Sequence, residues 1–339
     1  MGVSEPSTHA GMVTDPIAEA VRHLRAGGLV AFPTETVYGL GARALDAEGV
    51  ARVFAAKGRP SSNPLIVHVA DEAMASAVTS VWPESAARLA RAFWPGPLTI
   101  VLAASSVVPP IVTAGGPGVA VRCPDHPVAL ALLRAVGEPL VGPSANRSGS
   151  VSPTTPAHVR ASFPDEQGVR VLDGGACRVG VESTVLSLLD PDDPVVLRPG
   201  AIGARAIASV LGRAVREAGA HAGAGGSPGR VGPHYQPGAP LRLVRTLADL
   251  ERELASARGA CVVLSPPGVG VAVEPMHMSI PMPAGAGAYG ARLYAALREA
   301  DAEGPSCILV CEPPTEGEDD TSTALWRAIA ERLGRAAGG

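Results

Sequence analysis

The chain has 339 residues, 46% hydrophobic and 18% charged, with a formal net charge of −4. At about 150 residues per domain this gives room for two globular domains, and the composition excludes a disordered chain. A mildly acidic balance also excludes a broad nucleic-acid-binding coat, which needs clustered positive charge, while leaving room for a local basic cavity.

The N-terminal fifteen residues lack the basic start and apolar stretch of a secretory signal. Five cysteines at scattered positions (123, 177, 261, 307, 311) read most simply as reduced cytoplasmic thiols. Asp15 as N-cap, Pro16 in the first turn and Gly27-Gly28 at the end predict a first helix, followed by a buried strand at 29–32. A second helix is expected from Asp46 to about Gly58. Short strands follow at 65–69, 98–103, 119–122, 138–142, 169–173, 183–189 and 195–198, with helices near 71–80, 84–93 and 126–136. The uncharged stretch 93–121 is broken by five prolines, which rules against a spanning helix.

This alternation predicts an α/β domain with a mixed sheet over residues 15–215. Residues 216–240, with seven glycines and four prolines, read as a linker that nevertheless carries His234-Tyr235. Residues 241–336 alternate strands (240–244, 260–265, 307–311) with helices (246–257, 286–300, 323–337), which predicts a smaller Rossmann-like domain. No G-x-G-x-x-G follows a strand there, and the acidic stretch 316–320 reads as a solvated turn.

Polar side chains gather at strand ends, where α/β folds bind ligands. PTETVYGLG (33–41) brings hydroxyls and a glutamate, although a tight turn with local capping explains it equally well. KGRPSSNPL (57–65) pairs Lys57 with Arg59 ahead of Asn63. Cations at a helix end are favourable on dipole grounds alone, but a mobile ammonium beside a planar fork also suits a polyphosphate. Lys57 is the only lysine among 28 basic residues; that is either chance or a position where arginine fails. His68 lies in an apolar strand, and Arg122 and Arg198 end two others. Ser144, Asn146, Thr154 and Ser183 add hydroxyls and an amide. The set describes a cavity for an anionic, polar ligand. No G-x-S-x-G, Ser-His-Asp set or zinc spacing is evident, so a phosphorylated substrate with Mg2+, stabilised by positioned charge, fits better.

The order of PTETVYGLG, KGRP with NPL, WPGPLT, VAVRCPDHP, GPSANRSG with SPT, GGACRVGVESTV and LRPG resembles the YrdC-like family over residues 15–215. The SPG and HY-x-P linker and the second domain resemble the two-domain, threonylcarbamoyl-AMP-forming branch of that family. The resemblance implies a YrdC-like twisted mixed sheet with a basic cavity. It also implies a nucleotidyltransferase making L-threonylcarbamoyladenylate and pyrophosphate from L-threonine, bicarbonate and ATP. That product serves N6-threonylcarbamoyladenosine formation at tRNA position 37.

Carried onto this sequence, the family pattern marks Lys57, Arg59, Ser144 and Asn146 as catalytic. Arg59, Asn63, Gly118 (through its backbone), Asn146, Thr154, Arg198 and Tyr235 fall on the ATP side. Thr36, His68, Arg122, Ser144 and Ser183 fall on the threonine side, with His234 and Tyr235 forming a lid. No resident metal is implied beyond the Mg2+ that accompanies ATP, and no tightly bound organic cofactor. The implied partner is the tRNA threonylcarbamoyl-transferase complex, with weak tRNA contact and no membrane. Two departures stand out: HYQP replaces a small residue before the proline, and EGEDDTSTALW replaces a glycine-rich loop. The rival readings are an RNA-binding module and a carbamoyl-phosphate-dependent transferase. A net charge of −4, sparse aromatics and the lack of a basic stripe disfavour the first, and the second lacks the extra zinc-finger or acylphosphatase-like segments it would need.

Overall fold

The computed structural model describes residues 15–164, 168–218, 235–266 and 275–338. In chain order the first part runs α1 (Pro16–Arg25), β1 (Leu29–Phe32), β2 (Gly39–Arg43), α2 (Ala47–Lys57), β3 (Ile66–His68), α3 (Glu72–Val78), α4 (Glu84–Phe93), β4 (Leu98–Ala103) and α5 (Pro110–Thr113). It continues with β5 (Gly118–Arg122), α6 (Pro127–Val136), β6 (Leu140–Val141), α7 (Pro156–Ser162), β7 (Val169–Val171), β8 (Thr184–Ser187), β9 (Val195–Arg198), α8 (Ala204–Leu211) and β10 (Arg216–Glu217). The helix signals act as read: Asp15 Oδ1 accepts from the Ile17 amide at 2.9 Å, Asp46 caps α2, and Gly58 closes α2 in the left-handed region.

Among the described residues these strands form one mixed sheet in the order β10-β9-β8-β4-β5-β3-β6-β2-β1-β7. Alternation along β1 sends Leu29 and Ala31 into the larger core and Val30 and Phe32 into a second cluster under α1 and α6. β2 is a strand where the sequence reads as a loop. It runs antiparallel to β1 with Phe32 opposite Gly39, and the Phe32 ring lies where a Cβ on Gly41 would sit, 2.9 Å away. The two glycines that argue against a strand in the sequence are what let an aromatic ring pack on this one. β10 lies inside the stretch read as linker and pairs in parallel with β9, so the sheet runs two residues past the expected boundary at 215.

The second part comprises β11 (Leu241–Val244), α9 (Leu247–Ser256), β12 (Cys261–Ser265), β13 (Met278–Pro281), α10 (Ala286–Ala302), β14 (Cys307–Cys311) and α11 (Asp320–Ala337). Its strands are all parallel in the order β11-β14-β12-β13. The acidic stretch is not only a solvated turn: Asp319 accepts from the Ser322 amide at 2.7 Å and starts α11. α10 and α11 pack on one face of this sheet, and the core they form also contains Val37, Val151, Val181, Ala201 and Tyr235. The two parts therefore share a core and bury it together. Among the described residues no helix is long and apolar enough to cross a membrane.

Candidate functional site

The period of two that builds the sheet also builds the site. Val67, Ile100, Val121 and Leu186 point into the larger core, so their strand neighbours Ile66, Val101, Ala120 and Val185 face the other way in a small apolar cluster. His68, Arg122, Thr99 and Ser183 share the parity of that second set, so each strand end turns a polar group to the face α1 and α6 leave uncovered. His68 and Arg122 stand opposite each other in the β3–β5 register. The result is a cavity of about 50 Å3 whose walls include Thr36, Arg59, His68, Arg122, Ser144, Ser183, Arg198 and Tyr235. Eight of the residues singled out in the sequence thus meet at one place.

One wall is made by the loop between β1 and β2. Thr34 Oγ1 donates to the Val37 carbonyl at 2.6 Å and lies 2.9 Å from Thr36 Oγ1, folding the loop inward. Arg122 Nη1 donates to Thr36 Oγ1 (2.9 Å) and Nε to the Gly96 carbonyl (3.2 Å). Its Nη2 lies 2.6 Å from Glu35 Oε2, an ion pair sealed from water on both sides. A buried guanidinium needs such a partner, and these contacts fix its fork while leaving N–H groups for a ligand. His68 sits beside it; burial and the Arg122 charge hold its imidazole well below the usual range, so it is neutral. Its Nδ1 is buried without a protein partner, and a Cβ on Gly142 would come within 2.6 Å of it. Gly142 is therefore required by this close approach.

The opposite wall carries two cations. Arg198 Nη2 donates to Ser183 Oγ at 3.1 Å and to the Ser183 carbonyl at 3.0 Å, while Ser183 Oγ lies 2.7 Å from Thr99 Oγ1. Arg59 is held by the carbonyls of Asn63 (3.2 Å) and Pro64 (3.0 Å). Burial first, then the facing Arg198 charge, pull the Arg59 guanidinium down to about 10, and burial lowers Arg198 too. The Arg198 charge weighs on Arg59, and Arg332 on Arg198, so this is a wall that an anion would relieve. Tyr235 closes this side. It is buried, adopts a positive φ of 66°, and its phenol is pushed up to about 12 by burial and the Glu182 charge. His234 lies outside the described residues.

Other expected residues stand behind the cavity wall. Lys57 Nζ is buried and donates to the carbonyls of Ser144 (2.5 Å) and Asn146 (2.6 Å); burial and the Arg59 charge push its ammonium well below the usual range. Asn146 Nδ2 donates to the carbonyls of Arg147 and Ser150. Lys57 and Asn146 thus set the 144–150 loop, whose Ser144 reaches the cavity. The Asn63 carbonyl holds Arg59, and Thr154 packs against His158. Gly118 begins β5 four residues before Arg122, with Val101 and Leu189 beside it; it does not line the cavity itself, although the β3–β5 register sets it next to the cavity-lining stretch 64–66.

Sequence reasoning gave no role to three groups. Glu35, the partner of Arg122, stands out in its motif only as one polar residue among several. Glu182 lines the cavity and accepts from Ser152 Oγ (2.7 Å), Tyr294 OH (2.8 Å) and Arg332 Nε (3.2 Å). Burial opposes its charge, but the Arg332 and Arg198 guanidiniums and the two hydroxyls outweigh that and hold its carboxyl down at about 2. Arg332 has no signal in the sequence, because an arginine in an amphipathic helix reads as surface.

The family whose sequence model is described as "Telomere recombination" (Sua5/YciO/YrdC) matches residues 22–200, and one described as "Threonylcarbamoyl-AMP synthase, C-terminal domain" matches 202–338. The chain is 42% identical over 340 residues to the threonylcarbamoyl-AMP synthase of Bacillus subtilis, covering 96% of this chain and 94% of that protein. With the Pyrococcus abyssi threonylcarbamoyl-AMP synthase it is 45% identical over 236 residues, 69% of each chain. Among solved structures, that of P. abyssi Sua5 complexed with L-threonine matches at a TM-score of 0.84 and 37% identity, covering 95% of this chain and 94% of that one.

Proposed function

Because this chain belongs to the Sua5/YciO/YrdC family and matches its threonylcarbamoyl-AMP synthases along nearly its whole length, we propose that it joins L-threonine, bicarbonate and ATP into L-threonylcarbamoyladenylate and pyrophosphate. The observation that carries this reading is a cavity with a fixed guanidinium fork at one side, Arg122, and a pair of mutually repelling guanidiniums at the other, Arg59 and Arg198. One end suits a carboxylate and the other a polyphosphate, so a reaction joining an amino acid to a nucleotide is what the charges favour.

In this reading Arg122 takes the threonine carboxylate, with Thr36, His68, Ser144 and Ser183 around the rest of the amino acid. The neutral His68, with its open Nδ1, suits an uncharged hydroxyl or amine. The threonine amine adds to the carbon of bicarbonate with loss of water. An oxygen of the resulting carbamate then attacks the α-phosphorus as the bond to the β-phosphate oxygen breaks and pyrophosphate leaves. Arg59 and Arg198 neutralise the phosphates. Lys57 and Asn146 hold the loop that presents Ser144, and Asn63 and Thr154 support the nucleotide side. Gly118 would offer the nucleotide only its backbone. Free carbamates lose carbon dioxide in water, so closure by Tyr235, and by His234 in the same segment, would protect the intermediate. The cavity of about 50 Å3 is far smaller than the ~300 Å3 at which small-molecule pockets begin, so this reading requires it to widen when ATP enters.

Among the described residues no group of three or more His, Cys, Asp or Glu side chains is placed to hold a metal. In this reading Mg2+ would arrive with ATP, ligated by phosphate oxygens and water, where it would supply charge neutralisation. The adenylate would pass to a tRNA threonylcarbamoyl-transferase complex in the cytoplasm for modification of tRNA position 37, with tRNA itself touched weakly. The test is pyrophosphate release from ATP with threonine and bicarbonate omitted in turn. Dependence on both supports the assignment; release that ignores threonine overturns it.

A further inference from the structure

The cavity is not built by the first sheet alone. Arg332, on α11 of the second part, is fully buried and reaches Glu182 (Nε to Oε2, 3.2 Å), the Pro199 carbonyl (Nη1, 2.8 Å) and Glu331 (Nη1 to Oε2, 2.9 Å). Tyr294, on α10, gives its hydroxyl to the same Glu182 oxygen and stacks on Tyr235, with ring centroids 5.6 Å apart and planes 17° from parallel. The guanidinium carbons of Arg332 and Arg335 lie 5.9 and 5.5 Å from the centre of the Tyr235 ring. A ring at positive φ is costly for a tyrosine and persists only where its surroundings over-determine it. Here they do so through stacking and cation–π contact from two helices of the other domain.

Resting on the synthase reading above, we propose that Arg332 is a positioning residue for that reaction: through Glu182 and the Tyr235 ring it makes the second domain hold the nucleotide side of the cavity closed. Glu182 precedes Ser183, which Arg198 grips by its carbonyl and its hydroxyl. A shift of Glu182 therefore moves the Arg198 anchor. Tyr235 in turn sits within the electrostatic reach of both Arg59 and Arg198. Around Glu182 the charged and titratable groups are Arg332 and Glu331 from α11, Tyr294 from α10, Arg198 from β9 and Tyr235. Arg332 reaches the Glu182 side chain from outside the first sheet.

The experiment compares wild type, Arg332→Met, Arg332→Lys and the double variant Arg332→Met/Glu182→Gln in the full chain, each checked for a cooperative melt. Pyrophosphate release is followed against ATP and against threonine from pH 5 to 9. In Arg332→Met the KM for ATP is expected to rise by about tenfold, corresponding to loss of one charged hydrogen bond, with a smaller change for threonine. The acidic limb of the pH profile should move upward, because a carboxyl without its cation protonates at higher pH. Replacing Glu182 by the neutral amide should abolish that upward movement, and Arg332→Lys should recover part of the ATP affinity. Wild-type KM values and an unmoved acidic limb in folded Arg332→Met overturn the proposal. If Arg332→Met does not fold, the same comparison with Arg332→Lys decides it: an unchanged KM for ATP there overturns it. If wild type itself gives no threonine-dependent release, the functional reading has failed. Hydrogen exchange at the Gln236 amide, which donates to the Gly149 carbonyl at 2.8 Å, then reads the seating directly. Faster exchange in the variant upholds the role of Arg332, and unchanged exchange removes it.

Discussion

The ammonium of Lys57 donates to the carbonyl oxygen of Ser144 at 2.5 Å and to that of Asn146 at 2.6 Å. One compact cation thus ties the end of α2 to the loop that follows β6. A guanidinium spreads its charge over a planar fork and is longer, so it cannot put a single nitrogen between two carbonyls spaced for an ammonium. Lys57→Arg is expected to displace the 144–150 loop by a fraction of an ångström or more and to lower kcat by about 100-fold, the scale of a misplacement near 1 Å. Overpacking should cost about 1–3 kcal/mol in stability. Steady-state rates and a thermal melt check both; a near-normal rate would show that the lone lysine serves only the fold.

Tyr235→Ala removes the ring that closes the cavity, together with its stack on Tyr294. Losing these contacts is worth about 1–2 kcal/mol, so kcat/KM for ATP is expected to fall by about tenfold while the far-UV circular dichroism stays that of wild type. Unchanged kinetics would take this segment out of the mechanism.

Arg122 keeps its charge but loses its fork in Arg122→Lys. The ion pair with Glu35 survives in part, whereas the bond from Nη1 to Thr36 and the remaining N–H groups aimed at a carboxylate are lost. Charged hydrogen bonds contribute about 1.5–3 kcal/mol, which predicts a KM for threonine raised at least tenfold with the KM for ATP little changed. Equal effects on the two substrates would remove Arg122 from the amino-acid end.

Glu182 gives the protein a pH dependence of known sign. Its carboxyl is held at about 2, below its ordinary 4.5. The unfolded chain therefore binds a proton before the folded one does, and the stabilisation is complete above about pH 4.5 and lost as pH falls toward 2. For this fully buried group the shift amounts to something on the order of 3 kcal/mol. Urea unfolding at intervals from pH 6 to 2.5 should show a steeper loss in wild type than in Glu182→Gln. Parallel curves for the two proteins would contradict the assignment.

Much of the fold was legible because local signals agreed with the tertiary structure. Asp15, Asp46 and Gly58 cap helices where the sequence puts them, and the apolar runs at 29–32 and 98–103 are strands along their whole predicted length. β2 was not legible, since its glycines are explained only by the ring of Phe32 lying over them. In the site, Arg122, Ser183 and His68 could be found because a polar residue in an apolar strand stands out. Glu182 and Arg332 could not be joined by any pattern: 150 residues separate them, and each alone reads as an ordinary charged side chain. Lys57 was found by its rarity, but its position behind the loop rather than in the open cavity is a fact of packing that no count contains.

The bond between Glu182 and Arg332 also sets an order of events in synthesis. At roughly 5–20 residues per second, the ribosome adds Arg332 about 8–30 s after Glu182, by which time the strands of the first sheet have all been made. Until α11 docks, that carboxylate has Ser152 and Arg198 but no Arg332 beside it. The Arg332 and Tyr294 contacts to Glu182 therefore wait for the second domain, while Ser152 and Arg198 are already in place beside it.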